Sequence, residues 1–276
     1  MPARLVRVAS NDSKGRLRAA FFMEASLEDD APLPMKTRLI ALCLLALAAC
    51  SSAPPPSAPM PSAAVGVGPW AGWDHYTLPG KRTTVYRTQR EGARFIVHAQ
   101  AESSASMFRR QLRIDAAQLG RVQFSWRVAG LIEQADLAEA DAADSPVRLV
   151  FAFDGDHGRL SMRARMLFEL AQALTGEPPP YATLMYAWDN RAAPGTVIVG
   201  PRTDRVRKIV VETGASRLGQ WLQYERDLAA DFRLAYGEEP GPLIGVALMT
   251  DADNTSSRAA GQYGEVRLFS RDGKAL

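Results

Sequence analysis

The feature that most constrains the fold is a strict alternation of apolar and polar residues in short runs. In residues 122–128, VQFSWRV, every second residue is apolar and the residues between them are polar or charged. Successive side chains of a β-strand point to opposite faces, so a period of two predicts a strand with one buried face. Residues 94–101 alternate similarly through Phe95, Val97 and Ala99. In residues 147–153 every second residue from Val147 onward is apolar and shares one face, with Arg148 on the other. An antiparallel sheet with one face on a core is the structure that this alternation indicates.

Further candidate strands are separated by joints rich in Gly, Pro and Asp. They lie at residues 183–188, 196–199, 206–212, 243–250 and 265–269. Many short strands with such joints predict a mainly β fold, either an antiparallel β-sandwich or a jelly-roll-like domain. We expect one domain at residues 70–270, followed by a short tail at 271–276.

Two segments have a helical spacing of apolar residues. Residues 160–175 place Leu167, Leu170 and Leu174 three or four residues apart, and residues 228–236 show the same spacing. Each segment is followed by a glycine, which is the typical residue after the last turn of a helix. The sequence therefore predicts two short helical insertions that cap or flank the sandwich.

A different kind of segment precedes the domain. Residues 35–50, MKTRLIALCLLALAAC, begin with two positive charges, continue with an apolar run too short to span a bilayer, and end in small residues and Cys50. This order resembles the signal peptide of bacterial lipoproteins, in which the cysteine becomes the lipidated first residue. The sequence predicts cleavage after residue 49 and a lipid on Cys50.

This prediction divides the rest of the N-terminal part. Residues 1–34 would be an upstream extension produced by a misassigned start, since a signal must lie at the amino terminus. Residues 50–69 would be the acylated cysteine and a linker rich in Pro, Ala and Ser, which cannot form a core. Several acyl chains hold a protein to a membrane almost permanently. Because Ser51 follows the cysteine, we expect the outer membrane, with the domain facing the periplasm.

Processing would also change the charge and the cysteine content. Residues 1–49 contain seven basic and five acidic residues, so the mature chain would have a net charge of about +1 instead of +3. The basic isoelectric point is therefore no indication of nucleic-acid binding. Cys43 lies inside the signal, and Cys50 would carry lipid, so the domain is expected to have neither a free thiol nor a disulfide.

Several short motifs occur in a fixed order in the second half of the chain. They are YAW at 186–188, GQW at 219–221, ERD at 225–227, YGEEP at 236–240, MTDADNT at 249–255 and YGE at 263–265. In this order the chain resembles the bacterial envelope family known as domain of unknown function 3047, over nearly all of residues 95–269. The resemblance implies a compact, sandwich-like periplasmic or surface domain and no established activity.

The aspartate motif contains the candidate metal ligands. Asp251, Asp253 and Asn254 follow an apolar strand, so their oxygens should meet at one end of a sheet, and such oxygens suit a hard cation such as Ca²⁺. An EF-hand is excluded, because Ser256 and Gln262 replace its glycine and glutamate. The same residues are typical of an Asx-turn, the interpretation we favour, in which they bond nearby backbone amides. No other cofactor is expected.

Glu225, Asp227 and Asp231 are candidate catalytic residues. Two carboxyl groups a few ångströms apart can act as general acid and base on a glycosidic bond. The alternative, which we favour, is a solvated cluster of ion pairs with Arg226 and Arg233.

Four residues are candidates for binding a ligand. Tyr186, Trp188 and Trp221 could stack on a sugar ring, because flat aromatic faces cover the C–H groups of a pyranose. Packing in the core is the alternative for the aromatic residues. Arg148 could hold a ligand, although pairing with Asp144 or another carboxylate is the interpretation we favour.

Three hypotheses for the function follow. The first, which we favour, is a non-catalytic lipoprotein domain that binds a glycan or another envelope ligand, such as an envelope protein. The second is a hydrolase that cleaves a polysaccharide with paired carboxylates. The third is a structural protein of envelope assembly. No Gly-x-Ser-x-Gly motif, His-Glu-x-x-His pair or phosphate loop occurs, and the three histidines lack metal-ligand spacing.

Overall fold

The computed structural model of the protein describes residues 68–276. The predicted upstream extension, the signal and the lipidation site at Cys50 lie outside the described residues. The described part contains two β-sheets, two α-helices and two short 3₁₀ turns at Gly68–Trp70 and His157–Arg159. This arrangement confirms the predicted mainly β sandwich with two helical insertions.

The larger sheet has seven strands. They are β1 (Asp74–Thr77), β4 (Ala105–Ile114), β6 (Ser145–Phe153), β7 (Ala182–Asp189), β8 (Val197–Val199), β9 (Val206–Thr213) and β11 (Leu243–Asp251). Their spatial order is β1-β4-β11-β6-β7-β9-β8. Strands β7 and β9 run parallel, and the other neighbours in this sheet are antiparallel. The chain leaves β7, forms β8 at the sheet edge, and returns as β9 between them.

The smaller sheet has six strands. They are β2 (Val85–Glu91), β3 (Arg94–Glu102), β5 (Leu119–Val128), β10 (Leu222–Asp227), β12 (Arg258–Tyr263) and β13 (Arg267–Ser270). Five of them follow the order β10-β5-β12-β3-β2, and β13 also pairs with β5. One side of β5 is therefore shared by two consecutive strands, because β12 pairs with residues 126–128 and β13 with residues 119–123.

The core lies between the two sheets and is built from the alternating residues that the sequence indicated. Phe124 and Trp126 of β5 face the larger sheet, and the ring of Phe124 stacks on Tyr186 of β7 with 5.6 Å between the centroids. Phe151 of β6 meets Tyr186 edge-on at 5.1 Å. Aromatic pairs in these geometries add to the stabilisation that burial alone provides.

Helix α1 (Met162–Thr175) begins and ends at residues that favour helix termini. The Ser161 hydroxyl accepts a hydrogen bond from the backbone N–H of Ala164 at 3.2 Å, which satisfies one of the free amides of the first turn. Gly176 follows the last turn with φ of 75°, a left-handed conformation that costs glycine little. The helix predicted at residues 160–175 is confirmed.

The apolar residues of α1 occupy two faces. Ala164 is buried, and the ring of Phe168 packs edge-on against His157 with 5.1 Å between the centroids. The other face leaves large apolar side chains between 40 and 72% exposed: Met162, Met166, Leu167, Leu170 and Leu174. The leucine spacing predicted the helix correctly, but it marks the exposed face and not the packed one.

Helix α2 (Leu228–Tyr236) is mostly buried and matches the predicted segment. Its first turn is capped by the carboxylate of Asp227, which accepts a backbone N–H at 2.9 Å. Phe232 points into the core, where its ring lies 4.6 Å from that of Phe153 and 4.5 Å from that of Tyr236. This helix packs against β5 and β10 of the smaller sheet and β9 of the larger sheet.

No helix within residues 68–276 has the length and apolar character needed to cross a bilayer.

Truncating a buried leucine should lower the stability much more than truncating an exposed leucine of α1. Leu248 of β11 is fully buried, so Leu248→Ala should lower the free energy of unfolding by about 2–5 kcal/mol through lost contacts and a cavity. The matched variant Leu170→Ala removes a side chain that is 56% exposed and should change it by less than about 0.5 kcal/mol. Urea denaturation measures both, and equal losses would contradict the orientation of α1.

Candidate functional site

A cavity of about 300 Å³ lies on the outer face of the larger sheet, the face turned away from the smaller sheet. In β6, Leu149 and Phe151 belong to the core between the sheets, so Arg148 between Leu149 and Val147 points outward. We call this space the charged cavity. Its charged lining residues are Lys81, Arg148, Arg202, Lys208, Asp251 and Asp253.

An ion pair between two buried side chains forms the floor of the charged cavity. Arg148 Nη1 lies 2.7 Å from Asp251 Oδ2, and the two side chains are only 4% and 3% exposed. Arg148 Nη2 donates to the backbone carbonyl of Ala143, and Asp251 Oδ1 accepts the N–H of Ser145 at 3.0 Å. The Nε of Arg148 is buried without a hydrogen-bond partner. Arg148 therefore pairs with a carboxylate, as the sequence interpretation favoured, and the partner is Asp251.

Burial is the largest influence on the pKa of Asp251. Loss of hydration raises the pKa of its carboxyl group to about 6, and the positive charge of Arg148 opposes this rise. The nearby Asp144 and Asp253 raise the pKa further, because a second negative charge disfavours ionisation of the first. The carboxylate is thus held at a site where ionisation costs more than in water.

The loop after β11 is tied down by Asp144, which lies more than one hundred residues earlier. Its carboxylate accepts the backbone N–H of Asn254 at 3.2 Å, and both the N–H and the hydroxyl of Thr255 at 2.8 and 2.6 Å. The side-chain amide of Asn254 donates to the carbonyl of Ala140 at 2.9 Å. The Asx-turn favoured from the sequence is therefore wrong: Asp251, Asp253 and Asn254 bond Ser145, Lys81 and Ala140. The carboxylate that binds the amides of this loop is that of Asp144, from another segment.

Three carboxylates could offer oxygens to a metal ion. One ligand atom each from Asp144, Asp251 and Asp253 lie within 4.8 Å of one another. Each carboxylate already has partners, because Asp251 is paired with Arg148 and Asp253 with Lys81, and Asp144 accepts three donors. A cation would have to displace these groups, so the Ca²⁺ site suggested by Asp251, Asp253 and Asn254 stays a prediction.

Lys208 of β9 is the main residue of the cavity that the sequence analysis missed. Its side chain is buried, and Nζ donates to the backbone carbonyl of Leu137 at 2.8 Å. Burial, followed by repulsion from Arg148, lowers the pKa of the ammonium group to about 8. The signal in the sequence was a lysine in the apolar run VRKIVVET, on the face opposite to the core residues Ile209 and Val211.

Residues 129–144 form a long connection from β5 to β6 and cover part of the outer face of the larger sheet. Leu137 is buried there against Ala187, Ile198 and Val210 in a small apolar cluster. The carbonyl groups of this connection accept hydrogen bonds from Lys208, Arg148 and Asn254. The connection thus forms one wall of the charged cavity and provides acceptors for side-chain donors that the sheet alone would leave unpaired.

The three candidate catalytic residues have separate structural partners. Glu225 is an exposed residue of β10 that accepts from Arg121 at 2.7 Å and from Gln123 at 2.6 Å. Asp227 caps α2. Asp231 is buried and accepts two bonds from Arg226 and one from the Tyr186 hydroxyl, each at 2.6 Å. None of the three lines the charged cavity. Of the ion pairs predicted with Arg226 and Arg233, the structure contains the one between Arg226 and Asp231, whereas Arg233 pairs with Glu239.

Two of the aromatic candidates are core residues. The side chains of Tyr186 and Trp188 have no more than 1% exposure, and Trp188 donates its indole N–H to the carbonyl of Gly214 at 3.0 Å. A stacking role on a ligand disagrees with this burial, because neither ring presents a face to solvent. The period-two pattern placed both residues on the inner face of β7, where α2 and the smaller sheet cover them.

Trp221 is half-buried immediately before β10, away from the charged cavity. The guanidinium carbons of Arg94 and Arg127 lie 5.3 and 5.0 Å from its ring centre, so its ring already contacts two cations. Beside it, the outer face of the smaller sheet forms an open groove of about 520 Å³, lined in part by Gln123 and Gln223.

The sequence as a whole matches one protein family. The match to "Protein of unknown function (DUF3047)" extends over residues 71–267. The chain belongs to this family. The DUF3047 domain coincides with the two-sheet unit described above, which confirms the resemblance inferred from the motifs. No curated protein shows significant sequence similarity to the chain.

Two solved structures are similar to the DUF3047 chain at low level. The first is described as "CBM4 structure and function", with a TM-score of 0.33, 8% identity, and coverage of 72% of this chain and 86% of that one. The second is the family 11 xylanase from Neocallimastix patriciarum, with a TM-score of 0.32, 11% identity, and coverage of 76% and 94%. Likeness at this level does not indicate a shared function.

Replacing Lys208 should make the DUF3047 domain more stable near neutral pH. Because the folded state lowers the pKa of this lysine to about 8, the unfolded chain binds its proton more strongly between that pH and about 10.5. The stability of the wild type should therefore rise as pH increases through this interval. Lys208→Met should remove this rise, with its largest stabilising effect below pH 8.

Urea unfolding of both proteins at pH 7 and pH 10 measures the effect. Lys274→Met, at a lysine whose side chain is 81% exposed, is the matched control and should leave the pH profile unchanged. A wild-type stability that stays constant or falls over this interval, with no difference in Lys208→Met, would contradict the environment assigned to Lys208.

Proposed function

We propose that this protein is a lipid-anchored envelope protein whose DUF3047 domain binds a glycan or another polar envelope ligand in the charged cavity, without catalysing a reaction. The anchor would be Cys50, and the domain would face the periplasm from the outer membrane. The observation that carries the proposal is the cavity itself. It combines buried charged groups with apolar side chains in one concave space.

The composition of the cavity suits a hydroxyl-rich ligand. Asp253, Asn254 and Arg202 supply planar groups that can donate or accept two hydrogen bonds at once. Met185 and Met249 supply apolar surface on the same lining, against which the C–H groups of a sugar ring can pack. Specific pockets generally combine an apolar lining with a few placed polar groups.

The buried charges of the charged cavity favour it over the groove near Trp221. A volume of about 300 Å³ is at the lower end of ligand pockets and is sufficient for one small group or sugar residue. The groove near Trp221 is larger, but its charged residues are exposed ion pairs such as Arg121 with Glu225. Exposed pairs contribute little to binding because water competes for them.

Hydrolysis is the second candidate, and one observation favours it. The pKa of Asp251 is raised to about 6, beside a second carboxylate, Asp253, and this is the pattern of a general acid with its partner. Against it, both oxygens of Asp251 are bonded to Arg148 and Ser145, and the residue is 2% exposed. A role in envelope assembly is the third candidate.

A glycan array and a hydrolysis screen on the full-length chain test the proposed binding. Asp253→Ala and Asn254→Ala should each weaken binding about tenfold or more, because each removes a charged or bidentate contact worth at least about 1.4 kcal/mol. Asp74→Ala, at a side chain that is 64% exposed on β1, is the control and should bind as the wild type does.

Each alternative gives a different result. Release of sugar products that is lost in Asp251→Asn would replace the binding function by hydrolysis. Binding that is equal in the wild type and in Asp253→Ala and Asn254→Ala would exclude the charged cavity as the site. Failure to bind any glycan would contradict the glycan proposal.

The anchor has its own test. The protein purified from bacterial membranes should begin at Cys50 and carry acyl chains, which intact-mass spectrometry measures directly. Cys50→Ala should release the protein into the soluble fraction, because without acyl chains it has no lipid CH₂ groups to bury in the bilayer. An unprocessed amino terminus with an unmodified Cys50 would contradict the localisation.

A further inference from the structure

The charges of the charged cavity are not evenly paired. Asp251 is bound by Arg148, and Asp253 is bound by Lys81. These two pairs leave Lys208 with a neutral partner, the carbonyl oxygen of Leu137. One buried cation of the cavity therefore has no carboxylate in direct contact with it.

A further buried carboxylate that acts on Lys208 is already occupied. Asp189, at the end of β7, is buried, and its negative charge favours the protonated form of Lys208 and so raises its pKa. Its oxygens accept the backbone N–H groups of Leu137, Arg191 and Ala192 at 3.4, 2.7 and 2.6 Å. Asp189 thus holds the local backbone in place and makes no hydrogen bond to the ammonium group.

Unused donors accompany this unpaired charge. An ammonium group has three N–H donors, and Lys208 uses one of them on a protein acceptor. Arg148 also has its buried Nε without a partner. Arg202, on the same lining, reaches only the carbonyl of Ala140 at 3.2 Å and the exposed Asp141 at 3.8 Å. Positive charge and donors are both in excess at this wall of the cavity.

A bound oxyanion would correct this imbalance. Burial of an ion is costly unless an opposite charge accompanies it, and a carboxylate, phosphate or sulfate also accepts several hydrogen bonds. The lining offers Lys208 and Arg202 to such a group, while Met185 and Met249 can contact the rest of the ligand. A neutral sugar would leave the charge of Lys208 unpaired.

We propose that the ligand of the charged cavity is an acidic sugar, whose oxyanion group binds between Lys208 and Arg202. This inference rests on the proposed function and specifies the chemical class of its ligand. The shared chemistry is an oxyanion on a sugar ring, which a uronic acid or a sugar phosphate provides.

Isothermal titration calorimetry of the full-length chain with three probes tests the inference. The probes are glucuronic acid, glucose 6-phosphate and glucose, at one pH and one ionic strength. We expect either or both acidic probes to bind at least tenfold more tightly than glucose. Lys208→Met should reduce this preference about tenfold, and Arg202→Ala should reduce it as well.

The variants are chosen so that misfolding cannot imitate the result. Lys208→Met should be more stable than the wild type near neutral pH, and Arg202 is 67% exposed, so neither change should unfold the domain. Lys274→Met keeps the net charge of Lys208→Met and lies in the C-terminal tail, so it should bind all three probes as the wild type does.

The outcomes separate this inference from the proposed function. Equal affinity for glucose and the acidic probes, with no effect of Lys208→Met, would overturn the acidic ligand and leave glycan binding intact. An acidic preference that Lys274→Met reduces as much as Lys208→Met would show attraction to net charge and would overturn the site. Absence of binding by all three probes and by every glycan of the array would overturn both.

Discussion

The buried ion pair between Arg148 and Asp251 is the interaction on which the arrangement of the outer face depends. It joins β6 to β11, two neighbouring strands of the larger sheet. Taking both charges out of water is costly, and their mutual attraction and the hydrogen bonds with Ala143 and Ser145 offset part of this cost. Removing one partner would leave a buried charge, at a cost of about 3–5 kcal/mol. The pair thereby requires the connection at residues 129–144 to lie against the sheet.

The sandwich could be predicted because its inner residues follow a simple period. Strands β5 and β6 were identified from alternation, and both helices were identified from spacing and a following glycine. Strands β2 and β4 were missed, because VYRTQRE has few apolar residues and three arginines interrupt the apolar residues of ASMFRRQLRI. In β4 an inner-facing residue such as Phe108 has outward-facing arginines nearby, which masks the pattern. Pairing with neighbours, which the sequence of one strand does not contain, determines such a strand.

The candidate site was predicted in part for the same reason. Arg148, Asp251, Asp253 and Asn254 were selected from the sequence, and the structure brings them to one cavity. Lys208 was missed, because its environment is created by Leu137 and Arg148 from distant segments. The burial of Trp188 could not be predicted either, because alternation shows which face of a strand a residue occupies but not which distant segments cover that face.

The position of the last strands has a consequence for how the domain is completed. Strand β11 lies between β4 and β6, and β12 lies between β5 and β3, so residues 243–263, which follow the other strands of both sheets except β13, occupy the interior of both sheets. Until they are in place, each sheet is divided into two parts with unpaired edges, which are prone to associate with other chains. The sandwich can therefore finish folding only after β12 has emerged, and a chain released before β11 would aggregate instead of forming a smaller domain.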